Sequence, residues 1–119
     1  MKWSYKEENA FEKRRKEAER ILQKYPNKCP IILQQTSGTR LTNIRYKKYL
    51  VNSEVTVEQF YSSIRQTMRL APEEAFFLFV RNEIPMMLLT MGELYQAYHE
   101  DDQFLYVVLS SESTYGNDS

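Results

Sequence analysis

Few side chains in this 119-residue chain could do covalent chemistry, and their placement limits what that chemistry could be. There is one cysteine, Cys29, and one histidine, His99. A nucleophile with its base needs the two groups in contact. Cys29 opens an apolar, strand-like run beside Pro30, where a packed thiol is the expected state. His99 closes a helical run beside Glu100, Asp101 and Asp102, and reads as a cation at a helix C-terminus. Those three acids lack the alternating spacing and the glycine of a calcium loop. No His and Cys set has metal-ligand spacing, and no glycine-rich phosphate loop occurs. The expectation is a protein that is not an enzyme and holds neither metal nor cofactor. One reactive candidate remains, in the closing stretch SESTYGNDS. Gly116 is one of only three glycines and lies just past the last apolar run, with Asn117, Asp118 and Ser119 behind it. Either this is a frayed terminus, or Gly116 is a reactive end. A glycine carboxyl has no side chain to hinder attack and takes any backbone angle.

Composition narrows the class. One domain is expected at this length, and 42% hydrophobic residues with nine Tyr and six Phe is a globular composition. No apolar run approaches the ~20 residues of a membrane span. The first ten residues are polar and charged, so no signal peptide is expected. A single cysteine makes no internal disulfide and fits a reducing, cytosolic setting. The net charge of zero hides an asymmetry: residues 1–53 carry 13 Lys and Arg against 5 Asp and Glu, residues 54–119 carry 3 against 11. The basic half suits an acidic partner surface such as a peptide, anionic lipid, tubulin or nucleic acid, or else the two halves neutralise each other in the fold. No recognised nucleic-acid motif accompanies it.

Elements must position whatever these residues do. Residues 11–25 have Ala18, Ile21, Leu22 and Tyr25 at helical spacing, with Lys13, Arg14, Arg15, Lys16 and Arg20 for the wet side, and Pro26 as a stop. A shorter turn or helix is expected within 3–9. Residues 29–35 read as a strand and 36–43, with Ser-Gly, as a loop. Residues 46–51, YKKYLV, read as a second strand, and its paired lysines mark a sheet edge. Thr56 to Gln59 is a capping box opening the clearest helix, to about residue 69, with Val57, Phe60, Tyr61, Ile64 and Met68 inward. Residues 76–80 read as a fully buried strand. Thr90 to Glu93 is a second capping box, opening a short helix with Met91, Leu94, Tyr95 and Tyr98 inward. Residues 104–109 close as an apolar strand. This order predicts an α+β fold with the long helix on one face of the sheet and the N-terminal helices on the other. The exposed-looking run 86–89, Met-Met-Leu-Leu, is either a contact patch for a partner, a second copy or a membrane, or local packing.

The order of elements, with a glycine beyond the last strand, matches the ubiquitin-like β-grasp with an N-terminal helical extension. The segments WSYKEENAFEKRRKEAERILQKYPNKCPIIL, KKYLV, TVEQFYSSIR, EEAFFLFV and TMGELYQAYHEDDQFLYVVLSSESTYG together resemble the autophagy ubiquitin-like modifier family, which includes the GABA-A-receptor-associated protein and the microtubule-associated-protein light chain. The N-terminal region is more similar to the GABA-receptor-associated branch. The resemblance implies an N-terminal helical subdomain over 1–27, a ubiquitin-like domain over 28–116 and a removable tail over 117–119. It implies trimming by a cysteine protease that recognises Tyr115 and Gly116. E1-like and E2-like enzymes would then join the Gly116 carboxylate to phosphatidylethanolamine, anchoring a cytoplasmic protein to autophagosome or vesicle membranes.

The same resemblance implies capture of receptor and adaptor peptides with an aromatic-x-x-aliphatic motif, added as a strand beside 46–51. The aromatic pocket would use Glu17, Ile21, Pro30, Ile32, Lys48, Leu50 and Phe104. The aliphatic pocket would use Tyr49, Val51, Val55, Phe60 and Ile64, and Lys28, Lys47 and Lys48 would meet acidic neighbours. Several positions depart from the family pattern: Asn52 for a proline, Ser63 for a bulky aliphatic, Gln66 and Thr67 for a basic pair, Arg45 for an acid, and Tyr46. These bear on partner preference. A second reading is an unconjugated trafficking or cytoskeletal adaptor whose basic half binds vesicle proteins or microtubules.

Overall fold

The computed structural model describes residues 2–36 and 46–111. Tyr115, Gly116, the three residues after it, most of the 36–43 loop and Arg45 lie outside the described residues. Eight elements follow in order: α1 (Ser4–Glu8), α2 (Phe11–Lys24), β1 (Lys28–Gln35), β2 (Tyr46–Asn52), α3 (Val57–Thr67), β3 (Phe77–Phe79), α4 (Met91–Tyr98) and β4 (Leu105–Ser110). The strands form one mixed sheet in the order β2-β1-β4-β3. β1 pairs antiparallel with β2 and parallel with β4, and β3 pairs antiparallel with β4.

Side chains of a strand alternate between faces, and here each face has its own core. Ile31, Leu33, Leu105, Val107 and Leu109 join Val57, Phe60 and Ile64 of α3 and Met91, Leu94 and Tyr95 of α4. On the other face Ile32, Phe104 and Tyr106 meet Tyr5 of α1 and Ala18 of α2. The two covers expected from the sequence are therefore α3 on one side and the N-terminal helices on the other. Both capping boxes form: Thr56 accepts from Gln59 N–H, Thr90 accepts from Glu93 N–H, and each glutamine or glutamate reaches back to its cap.

Several element bounds differ from expectation, each for a local reason. α3 stops at Thr67 because Met68 caps it and Arg69 adopts a positive φ of 55°. β3 has three residues instead of five. Phe76 instead stacks on Tyr61 with centroids 4.2 Å apart, and Val80 bridges Glu83 across a two-residue turn. That turn needs Arg81 at φ 50° and Asn82 at φ 68°, the left-handed pair that makes a tight hairpin. Phe77 is half-buried, so the strand is not buried throughout. Asn52, in place of proline, turns the chain out of β2. Its side-chain oxygen accepts from Glu54 N–H at 2.9 Å and its carbonyl from Val55 N–H at 3.1 Å.

The N-terminal helices are fastened to the sheet by polar contacts the sequence does not advertise. Asp102 is 1% exposed. Its carboxylate accepts from Arg14 Nε at 2.9 Å, from Phe104 N–H at 3.0 Å and from the Tyr106 hydroxyl. Gln34 accepts from Ser4 N–H at 2.8 Å and donates to the Lys2 carbonyl at 2.7 Å. Lys6 pairs with Glu100 at 2.5 Å.

Candidate peptide-binding site

β2 is the outer strand of the sheet, paired only with β1 among the described residues. Its lysines thus mark an edge, as their sequence position implied. The hydrogen-bond phase of the pair decides which backbone groups that edge offers. Ser53 N–H donates to the Asn27 carbonyl at 2.8 Å, and the register continues through Cys29 with Val51, Ile31 with Tyr49 and Leu33 with Lys47. In an antiparallel ladder every second pair exchanges hydrogen bonds and the pairs between point outward. Lys48 and Leu50 fall on the outward phase, opposite Ile32 and Pro30. Their N–H and C=O groups face away from β1. Pro30, which has no N–H to give, sits where none is needed toward β2.

The two sets of residues expected to line the pockets separate by face. Pro30, Ile32, Lys48, Leu50 and Phe104 lie on the face covered by α1 and α2, where Glu17 faces Lys48 and Ile21 follows one helical turn later on α2. Lys48 Nζ pairs with Glu17 at 2.6 Å, with 46% and 22% of those side chains exposed, and lies 5.3 Å above the Tyr5 ring. Tyr5 also donates its hydroxyl to Glu17. Burial pushes the Glu17 carboxyl up, but the hydrogen bonds from Lys48 and Tyr5 outweigh it and hold its pKa below the usual value. Burial and Glu17 push the Tyr5 hydroxyl far up, so it stays a proton donor. Leu50 is exposed and Ile21 half-buried, whereas Ile32 and Phe104 form a closed floor.

Tyr49, Val51, Val55, Phe60 and Ile64 lie on the α3 face. Tyr49 meets Phe60 edge-on with centroids 5.5 Å apart. Burial raises the Tyr49 hydroxyl pKa. Phe60 and Ile64 are core residues, so the accessible part of this set is Tyr49, Val51 and Val55. Ser63 is exposed on α3. Of the three lysines, Lys47 is exposed above the Tyr49 ring at 5.6 Å. Lys28 stands apart from it, at the far end of the edge opposite Asn52. It also lines an open groove of about 790 Å³ with Leu22, Ser53 and Glu93.

The residues singled out for covalent chemistry are far apart in role. Cys29 is buried, and burial pushes its thiol up to about 11. His99 caps α4, its ring stacked on Tyr95 with centroids 4.9 Å apart. Its Nδ1 lies 3.0 Å from the Glu100 carbonyl, which can only accept, so this nitrogen carries the proton. Among the described residues no group of three or more His, Cys, Asp and Glu is placed to hold a metal ion, and no helix is long and apolar enough to cross a membrane. Sequence reasoning missed Tyr5, Arg14 and Asp102, which set the α2 wall. The one available signal was Asp102 two residues before a buried aromatic, a position from which a carboxylate caps the strand entry.

A mixed sheet with a long helix on one face, a hairpin ending in an open edge and a short fourth helix before the last strand defines a ubiquitin-like protein of the β-grasp class. The family described as Autophagy protein Atg8 ubiquitin like matches residues 13–116, and the chain belongs to the Atg8 family. It is similar to Atg8 of Plasmodium falciparum, solved in complex with a P. falciparum Atg3 peptide, at 34% identity and a TM-score of 0.85, over 92% of this chain and 97% of that one. It is also similar to ATG8 of Trypanosoma brucei, at 30% identity and a TM-score of 0.87, over 98% of this chain and all of that one (100%). These matches assign the family and not a branch within it.

Proposed function

We propose that this autophagy protein is a conjugated modifier. It is trimmed by a cysteine protease after Gly116, with Tyr115 in the recognition position. E1-like and E2-like enzymes then join it to phosphatidylethanolamine, and at the membrane it recruits receptors through aromatic-x-x-aliphatic peptides on β2. The bound Atg3 peptide of the Plasmodium relative supports an E2-like enzyme among the partners, and the family match runs through Gly116.

The observation that carries the peptide reading is the alternation across the open edge. A guest strand pairing with Lys48 and Leu50 must itself alternate. Side chains bound for opposite faces must therefore sit an odd number of residues apart. A spacing of three places them about 10 Å apart along the strand, which suits hollows centred on Leu50 and on Val51–Val55. The aromatic hollow lies earlier on β2 than the aliphatic one, so the guest runs parallel to β2. Lys47 meets acidic residues ahead of the aromatic anchor, and Lys28 those near the other end.

Calorimetry with one such peptide tests the groove. Binding near the micromolar range is expected, and Tyr49→Ala with Leu50→Ala abolishes it; unchanged affinity rejects the site. Intact-mass analysis of starved cells tests conjugation. The wild type loses the three residues after Gly116 and gains a phospholipid, and Gly116→Ala does neither; identical full-length species from both would refute conjugation. A second reading, an unconjugated adaptor on acidic surfaces such as microtubules, draws on the exposed Lys13, Arg15, Lys16 and Arg20 of α2.

A further inference from the structure

We infer that the guest of the β2 groove does not end at its aliphatic anchor. It continues over the first turn of α3 onto the loop 84–89, as a segment with apolar residues flanked by Lys or Arg. This rests on the peptide reading above. Among the described residues, four of the seven exposed large hydrophobic side chains lie in this loop: Ile84 is 48% exposed, Met86 69%, Met87 39% and Leu88 81%. The loop is not slack. Glu58 N–H donates to the Met87 carbonyl at 3.0 Å, Val57 N–H to the Leu89 carbonyl at 2.8 Å, and Met91 N–H to the Val55 carbonyl at 2.6 Å. Thr56 and Thr90 bridge the same two segments. The free amides at the start of α3 are thus used to hold Met86–Leu88 beside Val55, the last residue of the groove. A fixed backbone that presents contiguous apolar side chains to water marks a contact surface.

Charge selects the occupant. Glu54, Glu58 and Glu83 are exposed around this surface. Arg65, the only cation within α3, is spent inward. Its guanidinium donates to the Ala71 and Glu74 carbonyls at 3.2 and 2.9 Å and to the Tyr61 hydroxyl at 3.3 Å. Gln66 and Thr67 add no charge. An acidic rim repels anionic lipid, and two copies meeting face to face would oppose glutamate to glutamate; a basic guest is attracted. The parallel run of the guest delivers its C-terminal continuation to this spot.

Calorimetry on the full chain with two synthetic peptides tests this. The short one has an acidic flank and the aromatic-x-x-aliphatic motif and stops there. The long one continues with Lys-Leu-x-x-Leu-Lys. The long peptide is expected to bind roughly tenfold more tightly. Met86→Glu with Leu88→Glu, both surface changes, should remove that gain and leave the short peptide within about twofold of wild type. Glu58→Lys should weaken only the long peptide. Equal affinities of the two peptides, or a gain that survives Met86→Glu with Leu88→Glu, overturn the inference while leaving the groove intact. A dimer, or binding to anionic vesicles, that the same substitutions abolish would reassign the surface to self-association or membrane and also overturn it. If neither peptide binds, groove and continuation fall together.

Discussion

Replacing Arg14 with alanine should destabilise the fold and loosen α2, the wall of the proposed aromatic pocket, at the same time. Arg14 Nε lies 2.9 Å from Asp102 Oδ2, with 12% and 1% of the two side chains exposed. Removing one partner of a buried pair strands the other charge, which typically costs ~3–5 kcal/mol. Asp102 keeps the Phe104 amide and the Tyr106 hydroxyl, so the cost falls below that range, to about 2–3 kcal/mol. With an unfolding entropy of ~2.1 cal/mol/K per residue, that loss lowers Tm by roughly 8–12 °C. Arg14 also donates to the Asn9 carbonyl at 2.7 Å, at the joint between α1 and α2. Its loss frees α2, and with it Glu17 and Ile21. The assay is thermal unfolding, with calorimetry of an aromatic-x-x-aliphatic peptide beside it. Arg14→Ala with Asp102→Asn should be more stable than Arg14→Ala alone, because no charge is then buried without a partner. A Tm within about 2 °C of wild type for Arg14→Ala, or a double variant less stable than the single one, would refute the reasoning.

Three further outcomes follow from local geometry. Arg81→Asn should raise stability by ~0.5 kcal/mol in urea unfolding, because Arg81 sits at φ 50° and asparagine tolerates the left-handed region better. Gly92→Ala should cost ~1–3 kcal/mol, because its Cβ would lie 2.9 Å from Ser53 Cβ and 3.0 Å from the Ser53 carbonyl oxygen; an unaltered Tm would contradict that packing. The folded-state pKa of Glu17 is depressed, so its contribution is complete above the unfolded carboxylate value and fades as pH falls through the folded one. With Lys48 46% exposed that contribution is at most ~1 kcal/mol. The stability difference between wild type and Glu17→Gln should therefore shrink on acidification from neutral pH, and a difference that grows would reverse the sign of the argument.

What the sequence determined by itself was set by short-range rules. Helical spacing, two capping boxes, apolar strand runs and a lysine pair placed α2, α3, α4, β1 and β4 and marked β2 as an edge, because each signal is carried by residues within a few positions of one another. The resemblance extended this to the β-grasp and supplied the groove residues that the proposed function uses. Where the sequence fell short, distant residues were in charge. β3 shrank because Phe76 had Tyr61 to stack on and Val80 had Glu83 to bridge, and neither partner can be seen from an apolar run. Asp102 looked like one of three surface acids until the fold brought Arg14, 88 positions away, to its carboxylate. The outward phase of Lys48 and Leu50 came from a single bond between Ser53 and Asn27. Tertiary structure alone decided these points, because hydrogen-bond phase, burial of charge and the fastening of a loop to a helix end depend on which chain segments become neighbours. Local propensity carries no record of that.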